Sequence, residues 1–188
     1  MFFKPRSKTG SQQEVVVLVN GLYHACGVPC IDGAYFHLFE DAVKKMEGEI
    51  VDMMPQPGGA KTLRMSRLSA HEFVQNFVGV SVAKHGVRLI ILGNHLCCGA
   101  YERFHLDLPQ EEELQKQHIE RAVRFLNDQV SLTIAHYLLD EDLAPREREN
   151  LTMVADSGLV IKSLLIKPFD MSRRITDPTS ECFVERVL

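Results

Sequence analysis

The sequence predicts a single α/β domain with a central, mostly parallel sheet flanked by helices. Three observations carry that prediction. The stretch Val87–Leu92, VRLIIL, is almost wholly apolar, shows no polar alternation and ends at Gly93, as expected of a central strand covered on both faces. A β-branched run, Val15, Val16, Val17, Leu18 and Val19, reads as a first buried strand over Glu14 to Asn20. Between them the pattern alternates strand, helix, strand, helix, strand, which is the sequence signature of parallel α/β units.

The elements follow in order. Residues 1–13 are polar, carry Pro5 and Gly10, and are expected to form a flexible arm; residues 14–188 are expected to form the domain. Gly21 to Ile31 reads as a loop containing His24, Cys26 and Cys30. A helix is expected behind Asp32 and Gly33, because Phe36, Phe39, Ala42, Val43 and Met46 recur at three and four residues and Gly48 follows as the stop. Glu49 to Met54 reads as the second strand, closed by the turn Pro55-Gln56-Pro57-Gly58-Gly59. Ser69-x-x-Glu72 is a capping-box pattern, and the apolar positions behind it, Phe73, Val74, Phe77 and Val80, predict a helix that Gly86 ends. A short helix is expected over Ala100 to Phe104 and a longer one from about Glu111, with Leu114, Ile119, Ala122, Val123, Leu126, Val130, Ile134 and Tyr137 inward. Asp140 to Asn150 reads as a charged loop broken by Pro145, and Leu151 to Ile166 as a hairpin or two short strands.

Bulk properties narrow the function. A formal charge of −4 and the lack of a basic cluster argue against a nucleic-acid partner. No apolar segment reaches the roughly 20 residues that span a bilayer, so no membrane association is expected. The first residues, MFFKPRSKTGSQQ, lack the apolar core of a secretory signal. Five cysteines, an odd number, do not suggest a disulfide framework. A reducing cytoplasm with metal-binding or reactive thiols is the expectation.

Immediately after the central strand come Asn94, His95, Leu96, Cys97, Cys98 and Gly99. Ligands of open α/β sheets sit at the carboxyl ends of strands. His-x-x-Cys lets one turn offer an imidazole and a thiolate to a soft metal such as zinc. Together with Cys30-Ile31-Asp32, this turn resembles the zinc site of the β-class carbonic anhydrases. That family carries Cys-x-Asp-x-Arg in its first motif and Gly-His-x-x-Cys-Gly-Ala in its second. The second is matched at His95, Cys98, Gly99 and Ala100, and the resemblance spans Glu14 to Ala100.

The resemblance implies Cys30, His95 and Cys98 as zinc ligands and Asp32 as a gate or proton acceptor. It implies a lyase that hydrates carbon dioxide, or a related small electrophile, by zinc-bound hydroxide. A homodimer or higher homo-oligomer is implied as well. A helix N-terminus after Cys98 would add stabilisation of its thiolate. Three departures stand out. Ala34 occupies the family's arginine position, Asn94 replaces the glycine before the histidine, and Cys30 falls some ten residues after the expected first strand. His24 and Cys26 therefore stay open as alternatives to Cys30.

Other readings of the same residues remain. Asp32 also stands where the N-cap of the following helix belongs, and both roles coexist only if its two oxygens divide the work. Zinc held by Cys30, Asp32, His95 and Cys98 together would make a closed structural or regulatory site. Cys97 to Arg103 has the Cys-x5-Arg spacing of cysteine phosphatases, although Tyr101 and Glu102 are bulky and acidic for a phosphate cradle. Arg64 and Arg67 read as solvated loop charges, or as replacements for the missing partner of Asp32.

Overall fold

A computed structural model describes residues 25–47, 50–65, 67–172 and 182–188. The expected arm, the expected strand over Glu14 to Asn20, His24 and the Gly48 stop lie outside the described residues.

The described residues form one α/β domain around a five-stranded sheet. The strands are β1 (Ala25–Val28), β2 (Ile50–Met53), β3 (Leu89–His95), β4 (Val160–Pro168) and β5 (Cys182–Arg186). Their spatial order is β2-β1-β3-β4-β5, with the first four parallel and β5 antiparallel to β4. The helices are α1 (Gly33–Glu47), α2 (Ala60–Met65), α3 (Arg67–Asn76), α4 (Gly99–Glu102), α5 (Leu108–Tyr137) and α6 (Pro145–Ser157). None of these helices is long and apolar enough to cross a membrane.

The lack of alternation in β3 has a direct cause. Leu89 and Ile91 pack beside Tyr35, Phe39 and Val43 of α1, with Leu164 and Ile166 of β4. Ile90 and Leu92 point the other way, into a core shared with Phe73, Val74, Ile119, Leu126 and Leu151. Both faces are thus covered, and every residue of β3 is buried. The strand also runs three residues further than its apolar stretch, through Gly93 and Asn94 to His95, because β4 pairs with it in continuous register as far as Ile166.

Several expectations are corrected. The residues around Cys26 are the strand β1 rather than loop, so Cys30 follows the strand end at Val28 by two positions. Ser69 lies inside α3, which begins at Arg67. The true capping box is on α5, where Asp107 Oδ1 accepts from Gln110 N at 2.8 Å and Gln110 Oε1 accepts from Asp107 N at 3.2 Å. Beyond Asn76 the chain continues as a π-helical turn, Phe77–Val82, and Gly86 ends it at φ 68°. The region around Pro145 is helical: a proline at the first position of a helix loses no needed hydrogen bond, and α6 runs from it to Ser157. The expected hairpin over Leu151 to Ile166 is therefore the end of α6 followed by β4, since Leu151 and Val154, three apart, bury together.

Candidate metal centre

Cys30 sits at the carboxyl end of the sheet, pinned on both sides by backbone bonds. Its N–H donates to Gly93 O at 3.0 Å, and the adjacent Pro29 O accepts from Gln56 N at 2.8 Å. Asp32 then starts α1. Its Oδ1 accepts from Ala34 N at 3.1 Å, and its carbonyl accepts from Tyr35 N at 3.1 Å. The other carboxylate oxygen, Oδ2, lies 3.9 Å from Nε2 of His95. One oxygen caps the helix while the second faces the imidazole.

His95, the last residue of β3, is 1% exposed. Its Nδ1 lies 3.0 Å from Leu96 O. A carbonyl only accepts, so Nδ1 carries a proton, and in the neutral imidazole the lone pair is on Nε2. Nε2 is buried without a hydrogen-bond partner. Tyr35 stacks on the ring at 3.7 Å between centroids and 18° between planes, which fixes its plane. An oriented acceptor with nothing to accept from is costly unless something else occupies that lone pair.

The turn after His95 reverses at Cys97, whose φ is 61°, and delivers Cys98 back towards Cys30. Their Sγ atoms are 3.7 Å apart. The two sulfurs and a His95 ring nitrogen all lie within 4.8 Å of one another. Two thiolates on a tetrahedral ion at zinc–sulfur lengths of about 2.3 Å would be about 3.75 Å apart. The donor set is soft and buried, its two sulfurs match that spacing, and these three residues can hold a metal ion such as zinc. A pocket of about 10 Å³ adjoins them, bounded by Cys30, Tyr35, Phe39, Asn94, His95 and Ile166, roughly the room one water needs.

The two thiols share a proton. The hydrogen bond with Cys98 holds Cys30 well below the ordinary thiol range, against the opposing effect of burial. Cys98 is pushed up, first by that same bond and then by burial. The backbone of Ala100 in α4 acts in the expected direction, lowering Cys98, but is outweighed. Together the pair offers one thiolate readily, and a cation would be needed to draw the second proton.

A buried polar network supports the turn. Gln115 Nε2 donates to His95 O at 2.7 Å and to Glu111 Oε1 at 2.9 Å, and Glu111 Oε1 also accepts from Cys98 N at 3.1 Å. Gln115 Oε1 accepts from Asn94 Nδ2 at 3.1 Å, and Asn94 Oδ1 accepts from Ala60 N at 3.0 Å. Gly59 makes that last approach possible: at φ 55°, an added Cβ would stand 2.4 Å from Gly93 O and 2.6 Å from Asn94 Oδ1. On the far side His118 Nδ1 is 2.9 Å from Tyr101 Oη, and His118 Nε2 is 3.1 Å from an Arg64 guanidinium nitrogen. Arginine only donates, so His118 is neutral with its proton on Nδ1. Burial, and then Arg64, Arg121 and Lys61, hold its pKa down to about 4.

The structure brings together Cys30, His95 and Cys98, with Asp32 alongside. Cys26 is not among them: it lies within β1, in the core with Val28 and Ile90, where burial and then Asp52 push its thiol up to about 12. Cys97 packs against Leu96 and Leu108 instead of joining the donors. Arg103 lies over the Phe104 ring at 5.0 Å. These placements do not favour a phosphatase cradle. Arg64 is on a helix rather than a loop, and it meets His118 rather than Asp32. The sequence reading missed Tyr35, Glu111, Gln115 and His118. Glu111, Gln115 and His118 share one α5 stripe with Ala122 and Leu126, at spacings of four, three, four and four; polar residues heading an apolar stripe were the available signal.

Among known proteins, residues 23–146 match the family described as "Putative carbonic anhydrase". No curated protein matches the chain. Similar solved structures include β-carbonic anhydrase isoform I of Trichomonas vaginalis, 19% identical, covering 89% of this chain and 83% of that one, at a TM-score of 0.39. The β-carbonic anhydrase CafA of Aspergillus fumigatus is 14% identical, covering 88% and 76%, also at a TM-score of 0.39. The family match spans well over half of the 188 residues, and the chain belongs to this putative carbonic anhydrase family.

Proposed function

We propose that Cys30, His95 and Cys98 hold a zinc ion and that the protein is a lyase hydrating carbon dioxide to bicarbonate, or acting likewise on a related small electrophile. The observation that carries this reading is the buried Nε2 of His95, without a hydrogen-bond partner and facing two sulfurs 3.7 Å apart. Zinc bound there supplies Lewis acidity that lets water lose a proton near neutral pH.

The chain's own residues do the rest. Leu96 O holds the His95 tautomer that presents Nε2. Tyr35 keeps the ring plane fixed and, with Phe39 and Ile166, makes the adjoining pocket apolar enough to favour a small neutral electrophile over an ion. Asp32 keeps Oδ1 on the helix start and leaves Oδ2 to take a proton from the reacting water. A cytoplasmic location and a homodimer belong to the same proposal.

A second reading has its own support. Ala34 offers no cation to hold Asp32 back, and Oδ2 is already 3.9 Å from His95 Nε2. Asp32 would then close the site as a fourth ligand, giving a structural or regulatory zinc. Elemental analysis of protein purified without added metal is expected to find about one zinc per chain; its absence refutes both readings. Carbon dioxide hydration is then measured with and without a chelator. Chelator-sensitive hydration that Asp32→Asn abolishes supports the lyase, whereas an inactive zinc protein whose Asp32→Asn variant gains activity supports the closed site.

A further inference from the structure

We propose that Glu111 and Gln115, one turn apart on α5, are positioning residues for the centre. They clamp the backbone at both ends of the His95–Cys98 turn, so that the spacing of the donors is set by a helix outside either motif. The proposal deepens the metal reading above and rests on it.

The turn has little of its own to hold it. Cys97 takes a left-handed conformation, which costs energy for a residue with a side chain. Cys98 lies in extended backbone at φ −73° and ψ 124°, ahead of a helix only four residues long. Its N–H therefore has no intrahelical partner, and it donates to Glu111 Oε1 instead. At the other end, the carbonyl of His95 accepts from Gln115 Nε2 at 2.7 Å. Gln115 also donates to Glu111, so the two clamps are one rigid unit. Glu111 and Gln115 are both fully buried, and a strong hydrogen bond in that setting is expensive to break.

Asn94 belongs to the same device. Ala60 N can only donate, which fixes Asn94 Oδ1 towards α2 and turns Nδ2 towards Gln115 Oε1. Gln115 is thereby left with its amide hydrogens facing His95 O and Glu111, the only orientation that satisfies all four groups. This gives a physical reason for a side chain where the related motif has glycine. Asn94 sets the orientation of Gln115, and Gln115 with Glu111 sets the separation of His95 from Cys98.

The test combines hydrogen exchange with metal affinity. In the metal-free wild-type protein the Cys98 amide is expected to be protected from exchange, although it lies in a turn. In Gln115→Met, zinc affinity measured by competition with a chromophoric chelator is expected to fall by roughly 10- to 100-fold, with a shifted cobalt(II) absorption spectrum. Glu111→Gln keeps an acceptor oxygen in place and is expected to stay within about threefold of wild type by the same principle. An unprotected Cys98 amide overturns the proposal, and so does a Gln115→Met affinity within about twofold of wild type. Should Gln115→Met fail to fold, the wild-type exchange result decides. Should the wild type bind no metal, the metal reading fails, while Cys98 protection still reports whether the clamp exists.

Discussion

Replacing Gly93 with alanine tests how tightly the sheet and α1 hold the centre between them. A Cβ added at Gly93 would stand 2.4 and 2.5 Å from two ring carbons of Phe39 and 3.1 Å from Pro29 Cα. Carbon atoms rest at about 3.5–4.0 Å, so the Phe39 ring must retreat by about 1 Å. It has nowhere to go, since Phe39 is 1% exposed and wedged with Tyr35, Val43 and Ile91. Overpacking of that kind costs about 1–3 kcal/mol. For a chain of this length about 2 kcal/mol corresponds to a fall in Tm of about 4–8 °C. The strain also reaches the centre, because Pro29 precedes Cys30 and Gly93 O accepts from Cys30 N. The assay is a double-mutant cycle read by urea and thermal unfolding. Phe39→Leu removes the offending ring edge, so the double variant Gly93→Ala/Phe39→Leu should be more stable than the sum of the single effects by about 1 kcal/mol or more. Additivity within about 0.5 kcal/mol would refute the reasoning.

Two further predictions concern stability away from the donors. The folded protein holds His118 at about 4 against an ordinary 6.5, so between those values the unfolded chain binds the proton more readily. Stability from this group is fully present above pH 6.5 and is lost as pH falls towards 4, by about 3 kcal/mol in all. Urea unfolding of the metal-free protein from pH 7 to pH 4.5 should show a slope that His118→Gln flattens; parallel slopes would show that the group does not carry the effect. Asp107→Ala removes the reciprocal cap of α5 and should lower stability by about 1 kcal/mol, or about 2–4 °C in Tm. An unchanged Tm would mean that the 30-residue helix is held by its packing alone.

What the sequence determined by itself was the set of features with a local cause. Apolar runs free of alternation marked β3, three- and four-residue spacing marked α1 and α5, and His95-x-x-Cys98 at a strand end marked a donor pair. Each depends on residues within a few positions of one another, so period and composition suffice. The misread elements are those where distant packing outweighs local preference. Gly93 and Asn94 are poor strand residues, yet they extend β3 because β4 supplies hydrogen bonds along its full length. Pro145 reads as a breaker unless one knows that Leu151 and Val154 have a core to enter. The centre divides in the same way. The thiols and the imidazole are visible in the chain, but only the fold decides that Cys30, not Cys26, meets Cys98: Cys26 lies within β1, buried in the core with Val28 and Ile90, whereas Cys30 stands beyond the carboxyl end of that strand. The partners of the site's supports are tertiary: the α5 stripe marks Glu111 and Gln115 as inward-facing, but their hydrogen bonds to residues 13 and 20 positions away leave no trace in the sequence.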